Sequence, residues 1–236
     1  MNKSILYSSL LFSIVIQVLT GVIDIYALTL KIPTALYIIK QLLVLELGVQ
    51  VIEGSFYIWL FRNFHKIANI TPNRYCDWFI TTPTMLITLI MYLIYLNNKD
   101  SGTGDKLDIF ELFYDNFGII MTILSLNWLM LLFGYLGELK VLPVVTSVIL
   151  GFIPFVIYYY LIFDNFVSMD NLGWQIFAYF VGFWALYGVA AFLPYYVKNT
   201  MFNVLDLFSK NFFGLFLVYV IYVNKGNQGS PLNPSF

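Results

Sequence analysis

Charge is scarce in this sequence. Of 236 residues, 11% are Asp, Glu, Lys or Arg, against about 25% in soluble domains. With 60% hydrophobic residues and a mean hydropathy of +0.81, the composition excludes an ordinary soluble domain and points to the bilayer. The net charge is −1, and no basic patch suggests nucleic acid or an anionic surface as partner. One cysteine, Cys76, excludes an intramolecular disulfide. There is no internal repeat, no metal-ligand pattern and no sign of a fused signalling domain, and no enzymatic activity is expected. The longest connection, NNKDSGTGDKLD, has acids near glycines but lacks the spacing and closing Glu of an EF-hand, so a solvated turn is expected. A cleaved signal is not expected either. The first apolar run, Ile5 to about Tyr26, exceeds a signal core, carries Asp24 and has no convincing cleavage site.

Long apolar runs are what the chain does have. A bilayer core takes roughly 20 apolar residues per helical span. Runs 141–163 and 172–197 meet that length without a charge. Runs at about 5–27, 36–61, 75–97, 112–133 and 201–223 meet it with a few polar interruptions. The expected fold is therefore all-α, a seven-transmembrane-helix bundle and integral multi-pass protein of a lipid bilayer. Short connections make consecutive helices antiparallel neighbours. Residues 1–225 form one domain, and 226–236 a polar tail. Basic residues do not orient it. With the N-terminus outside, the inner side would hold Lys31, Lys40, Lys99, Lys106 and Lys225, and the outer side Lys3, Arg62, Lys66, Lys140 and Lys198. Five against five is no bias.

Asp24, Glu46, Glu53, Arg74, Asp77, Asp206 and Lys210 fall inside these spans. Each costs at least about 2.5–3.5 kcal/mol on insertion scales, so such groups face the interior and tend to mark function. Isolated charges of this kind often make interhelical salt bridges. Here Asp206 and Lys210 share a face of the last span, and Arg74, Asp77 and Thr81 share a face of the third. Such a set points to a reactive lysine. Its neutral amine can condense with a carbonyl to form a Schiff base, whose protonated form needs an anion nearby. Asp77 and Asp206 can supply two anions, and Arg74 can keep both ionised.

RYCDWFITTP at 74–83 and VLDLFSKNFFG at 204–214 resemble the third and seventh helices of the microbial (type 1) rhodopsins. WALYG at 184–188 resembles the sixth-helix motif, with Gly188 in place of a proline. The resemblance implies all-trans-retinal bound covalently to Lys210, with Asp77 and Asp206 as counterions beside Arg74. It implies a polyene lined by Trp78, Thr82, Trp184 and Tyr187, with no aromatic at Ala191 for the ring end. It also implies an N-terminus outside and a C-terminus inside.

Outward proton pumps of this family carry a donor carboxylate where this chain has Thr88, and a hydroxyl is no proton store near neutral pH. The first two helices carry polar faces instead. Ser13, Gln17, Thr20 and Asp24 line one, and Glu46, Gln50, Glu53 and Tyr57 the other. Asn203, Asp206, Lys210 and Asn211 continue along the last span. Such faces can simply hydrogen-bond helices together, but two glutamates a helical repeat apart favour a hydrated path for cations. Lys210–Asn211 resembles the green-algal channelrhodopsins. Together with Ser13, Glu46, Glu53 and Asn203, it resembles the group 1 viral rhodopsins of giant algal viruses. The expected function is a light-gated cation channel along helices 1, 2 and 7, passing monovalent cations or protons in a plasma or host-cell membrane. An outward proton pump with Asp77 as acceptor is the alternative, with a photosensor behind it. A homo-oligomer is left open.

Overall fold

The computed structural model describes residues 2–100, 107–169 and 172–225. Residues 101–106, half of the NNKDSGTGDKLD connection, and the tail at 226–236 lie outside the described residues. Seven rods follow one another: α1 (Lys3–Thr29), α2 (Tyr37–Asn63), α3 (Thr71–Asp100), the pair α4 (Ile109–Asp115) and α5 (Phe117–Glu138), α6 (Val144–Phe166), α7 (Gly173–Ala190), and a last rod. The last rod joins α8 (Tyr195–Asp206), a π-helical stretch at Leu207–Asn211 and α9 (Phe212–Val223). Each packs against its neighbour in sequence, and the last rod returns to α1 and α2, closing the ring. Six rods meet the length and composition of a span. The seventh, α7, is rich in Trp and Tyr, which hydropathy scales score low.

The amphipathicity is inverted, as lipid demands. On α1 the buried side includes Ser13, Gln17, Thr20 and Asp24, while Phe12, Val15, Val18, Leu19 and Val22 face outward. Polar groups in hydrocarbon must find partners inside the bundle, so the polar stripe turns inward. The third rod is the most enclosed, with 72% of its apolar window buried against 28–50% for the others. It therefore sits at the centre. An apolar plug of Leu42, Leu43, Leu86, Leu89, Ile90, Leu93, Ile120 and Ile123 fills the end of the bundle away from Arg74.

Two helix boundaries differ most from the sequence expectation. The sixth span ends at Ala190 rather than near 197, and the seventh starts at Tyr195 rather than 201. Pro194 explains both. It has no N–H to continue a helix, and its fixed φ of −56° starts the next one. Its carbonyl then accepts the amide of Lys198 at 2.9 Å. Inside α3, Pro83 cannot pair with the carbonyl of Phe79. That oxygen instead accepts the indole N–H of Trp128 at 3.0 Å, which ties α5 to the site helix.

α5 and α6 meet closely where Gly137 faces Ser147. A Cβ on Gly137 would lie 2.1 Å from Ser147 Oγ and 2.7 Å from its Cβ. The hydroxyl can rotate away but the Cβ cannot. Gly137→Ala is expected to destabilise the protein by about 1–3 kcal/mol, read as faster thermal loss of absorbance. Ser147→Gly in the same chain should restore it. An unchanged single variant would mean that this contact relaxes freely.

Candidate functional site

The π-helical turn sets the geometry of the site. A single π turn inside an α-helix is usually found at a functional position, and this one holds Lys210. The carbonyl of Phe208, within this turn, accepts the hydroxyl of Tyr179 at 2.6 Å. Lys210 is 2% exposed, and its amine is ringed by three carboxylates. Nζ donates to Asp77 Oδ2 at 2.6 Å, and lies 3.4 Å from Glu53 Oε1 and 3.6 Å from Asp206 Oδ1. Asp77 comes from α3, Asp206 from one turn earlier on the last rod, and Glu53 from α2. The sequence assigned Glu53 to the ion path, and the fold brings it to the amine as well.

Arg74, fully buried, holds the next layer. Its guanidinium donates to Tyr57 Oη and Asp206 Oδ2, both at 3.4 Å, to Asn199 Oδ1 at 3.2 Å and to Asn203 Oδ1. Asp206 also accepts Tyr57 Oη at 2.7 Å and Tyr187 Oη at 2.8 Å. Donors on both oxygens and a guanidinium alongside hold the Asp206 carboxyl group in place. Asp77 is less constrained. Its Oδ1 has no partner among the described residues. Thr81 turns back to the Asp77 carbonyl at 3.0 Å and does not serve the carboxylate.

A cavity leads from Lys210 between α3, α5, α6 and α7, and Trp78, Thr82, Trp184 and Tyr187 all line it. Trp78 stands edge-on to Tyr187 at 5.5 Å and to Phe202 at 5.2 Å. At the far end, where Ala191 offers no ring, Phe152 of α6 fills the space. Its ring needs Gly188, because a Cβ there would come within 2.5 Å of it. An apolar, aromatic slot with one amine at its end fits a linear polyene aldehyde.

Two contributors escaped sequence reasoning. Asn127, fully buried on α5, donates to Thr82 Oγ1 at 2.8 Å. An amide in mid-span was the available signal. Asn199 lies two turns before Asp206 on the same face and holds Arg74.

The remaining residues singled out in the sequence lie along α1, α2 and the last rod. Ser13 Oγ donates to the Asn203 carbonyl at 3.3 Å, and Asn203 Nδ2 to Ser9 Oγ at 2.8 Å. Asn211 Nδ2 donates to Thr20 Oγ1 at 2.8 Å, and Gln50 Nε2 to Asp24 Oδ2 at 2.5 Å. Gln17 is buried with neither amide atom paired among the described residues. Thr88 lies against Glu46. Its proton is given to the Thr84 carbonyl at 3.0 Å, however, and both Glu46 oxygens stay outside hydrogen-bond geometry.

Comparison with known proteins agrees with this architecture. The crystal structure of the viral rhodopsin OLPVRII is 29% identical, with 92% of this chain and 98% of that one covered and a TM-score of 0.78. A thermophilic rhodopsin from Rubrobacter xylanophilus is 20% identical over 92% and 96% of the two chains, with a TM-score of 0.72. Xanthorhodopsin, a light-driven ion pump with dual chromophore, is 16% identical over 96% of each chain, with a TM-score of 0.71. The last two speak to the fold alone. No curated protein sequence matches the chain significantly. Residues 6–224 match the model of the bacteriorhodopsin-like proteins, and the chain belongs to that family. It is thus a microbial rhodopsin, an integral membrane protein of light-driven transport that carries retinal covalently on a lysine.

Proposed function

We propose that this rhodopsin is a light-gated cation channel, with its N-terminus outside, its C-terminus inside and its retinal on Lys210. Retinal, when bound, supplies visible absorption and a light-driven change of shape at its link to Lys210. Asp77 and Asp206 are the counterions, with Glu53 a third carboxyl group in reach, and Arg74 holds Asp206 in place. Trp78, Thr82, Trp184 and Tyr187 clasp the polyene.

One observation carries the channel reading. Among the described residues, buried polar atoms of Gln17, Asp24, Glu46, Gln50, Glu53 and Asn211 have no hydrogen-bond partner in the chain. These six residues lie on α1, α2 and the last rod, while three further such atoms, Asp77 Oδ1, Asn127 Oδ1 and Tyr159 Oη, lie singly on α3, α5 and α6. Leaving such a group dry costs about 1–3 kcal/mol, so this seam favours water, and a polar seam that takes up water can pass cations. Ser13 and Asn203 close its outer half, and Asn211, next to Lys210, couples it to the light-driven movement.

Glu46→Ala removes a carboxylate from the narrow inner half. It is expected to lower the passive photocurrent several-fold and to shift its reversal potential. Colour should hold, because Glu46 lies seven residues, about 10 Å, from Glu53 along α2. The check is photocurrent against voltage in retinal-supplied cells at matched expression.

The contact of Glu46 with Thr88 favours a second reading, an outward proton pump. An inner carboxylate reaches the donor site after all, from α2 instead of α3, and Asp77 would be the acceptor. If Glu46→Ala leaves current and reversal untouched while Thr88→Asp raises a strictly outward current, the pump reading replaces the channel.

A further inference from the structure

Among the described residues, five buried carboxylates and two buried cations do not balance. Lys210 and Arg74 pair with Glu53, Asp77 and Asp206. Asp24 and Glu46, both fully buried, have no cation among the described residues. Asp24 is the charged group that bears on Glu46, and the Gln50 amide is the polar group that bears on Asp24.

Gln50 joins them. It is one turn from Glu46 on α2 and donates Nε2 to Asp24 Oδ2 at 2.5 Å. Asp24 Oδ1, Gln50 Oε1 and both Glu46 oxygens are then left as buried acceptors with no donor. Two glycines let this group press on the neighbouring backbone. A Cβ on Gly214 of α9 would lie 3.1 Å from Asp24 Oδ2, and one on Gly21 of α1 would lie 3.2 Å from Gln50 Oε1. Two neighbouring carboxylates in apolar surroundings cannot both stay ionised without compensating positive charge. All the free groups are hard oxygen acceptors. Two carboxylates and one amide fall short of the six to eight oxygens of a calcium site.

We propose that Asp24, Gln50 and Glu46 form an inner station that holds a small monovalent cation, a hydronium or an alkali ion, among their oxygens. The station rests on the reading of α1, α2 and the last rod as the ion path, and it adds Asp24 as a residue that selects what passes. When the helices are closed, the Asp24–Gln50 bridge over Gly214 shuts the path at this level. When they part, the same oxygens replace part of the ion's hydration shell.

The test uses the full retinal-loaded chain and Asp24→Asn. Photocurrents are recorded with sodium exchanged for N-methylglucamine at fixed pH, and then with pH stepped at fixed sodium. Light-minus-dark infrared spectra of purified protein follow the carboxyl C=O bands. Asp24→Asn should lower the passive current several-fold, remove one carboxyl band and leave the visible band in place. Asp24→Glu should restore current and band. Loss of current on removing sodium assigns an alkali ion, and dependence on pH alone assigns hydronium. If Asp24→Asn forms no pigment, Gln50→Leu breaks the bridge with both acids retained; the same several-fold loss of current is expected, with the Asp24 carboxyl band shifted rather than removed. Unchanged current and unchanged carboxyl bands in a coloured variant would overturn the station. A strictly outward wild-type current would instead remove the channel reading. In that case the infrared bands of Asp24→Asn alone decide whether the station exists.

Discussion

Lys210→Ala is expected to abolish the visible absorption band of the purified protein. Its amine ends the aromatic cavity and is 2% exposed. Removing the amine also removes the cation facing Asp77, Glu53 and Asp206. Among the described residues only Arg74 would remain as a buried cation, and its one ion pair there is with Asp206. Stripping one partner from a buried ion cluster costs about 3–5 kcal/mol, so the variant should also denature at lower temperature. Retinal supplied together with a small alkylamine should recover part of the colour, because the slot is intact and the amine can occupy the space of the deleted side chain. Colour that persists in Lys210→Ala, unchanged in position and intensity and with no amine added, would remove Lys210 from its role.

The counterion ring gives the second large effect, and the structure changes what is expected of it. Asp77 alone hydrogen-bonds the amine, at 2.6 Å, but Glu53 and Asp206 stand at 3.4 and 3.6 Å. In Asp77→Asn two carboxyl groups remain beside the amine, so the link on Lys210 should stay protonated at neutral pH. The band then moves to the red, because an anion near the nitrogen stabilises the ground state more than the excited state. Asp77→Asn combined with Glu53→Gln leaves only Asp206. That carboxylate is already engaged by Arg74, Tyr57 and Tyr187. Loss of nearby negative charge disfavours the charged form, so the double variant should lose the proton and shift far to the blue at neutral pH. Absorbance titration of the single and double variants decides the matter. A double variant that titrates like Asp77→Asn would take Glu53 out of the ring and leave it to the ion path.

The seven spans, the burial of Arg74, Asp77, Asp206 and Lys210 and the aromatic slot were legible in the sequence. Charge in an apolar run has few physical outcomes, and helical spacing alone puts Asp206 and Lys210 on one face. The helix ends near 190–195 were less legible. An apolar count runs through the turn before Pro194, although the proline itself marks the break.

What the sequence by itself determined is therefore a bilayer protein of seven helices, with a buried lysine beside acids and polar stripes on α1, α2 and the last rod. Hydropathy and the 3.6-residue period fix these things locally. Contacts between helices distant in the chain were decided only by the tertiary structure. Packing put Glu53 of α2 at the amine of Lys210, 157 positions later in the chain. It also set Glu46 against Thr88, let Phe152 occupy the space that Gly188 leaves open, and left Asp24 and Glu46 without a cation among the described residues. Periodicity says which face of a helix turns inward. Which neighbour that face meets, and at what height, follows from ring closure, rod offsets and the π turn at Lys210, and none of these has a local signature.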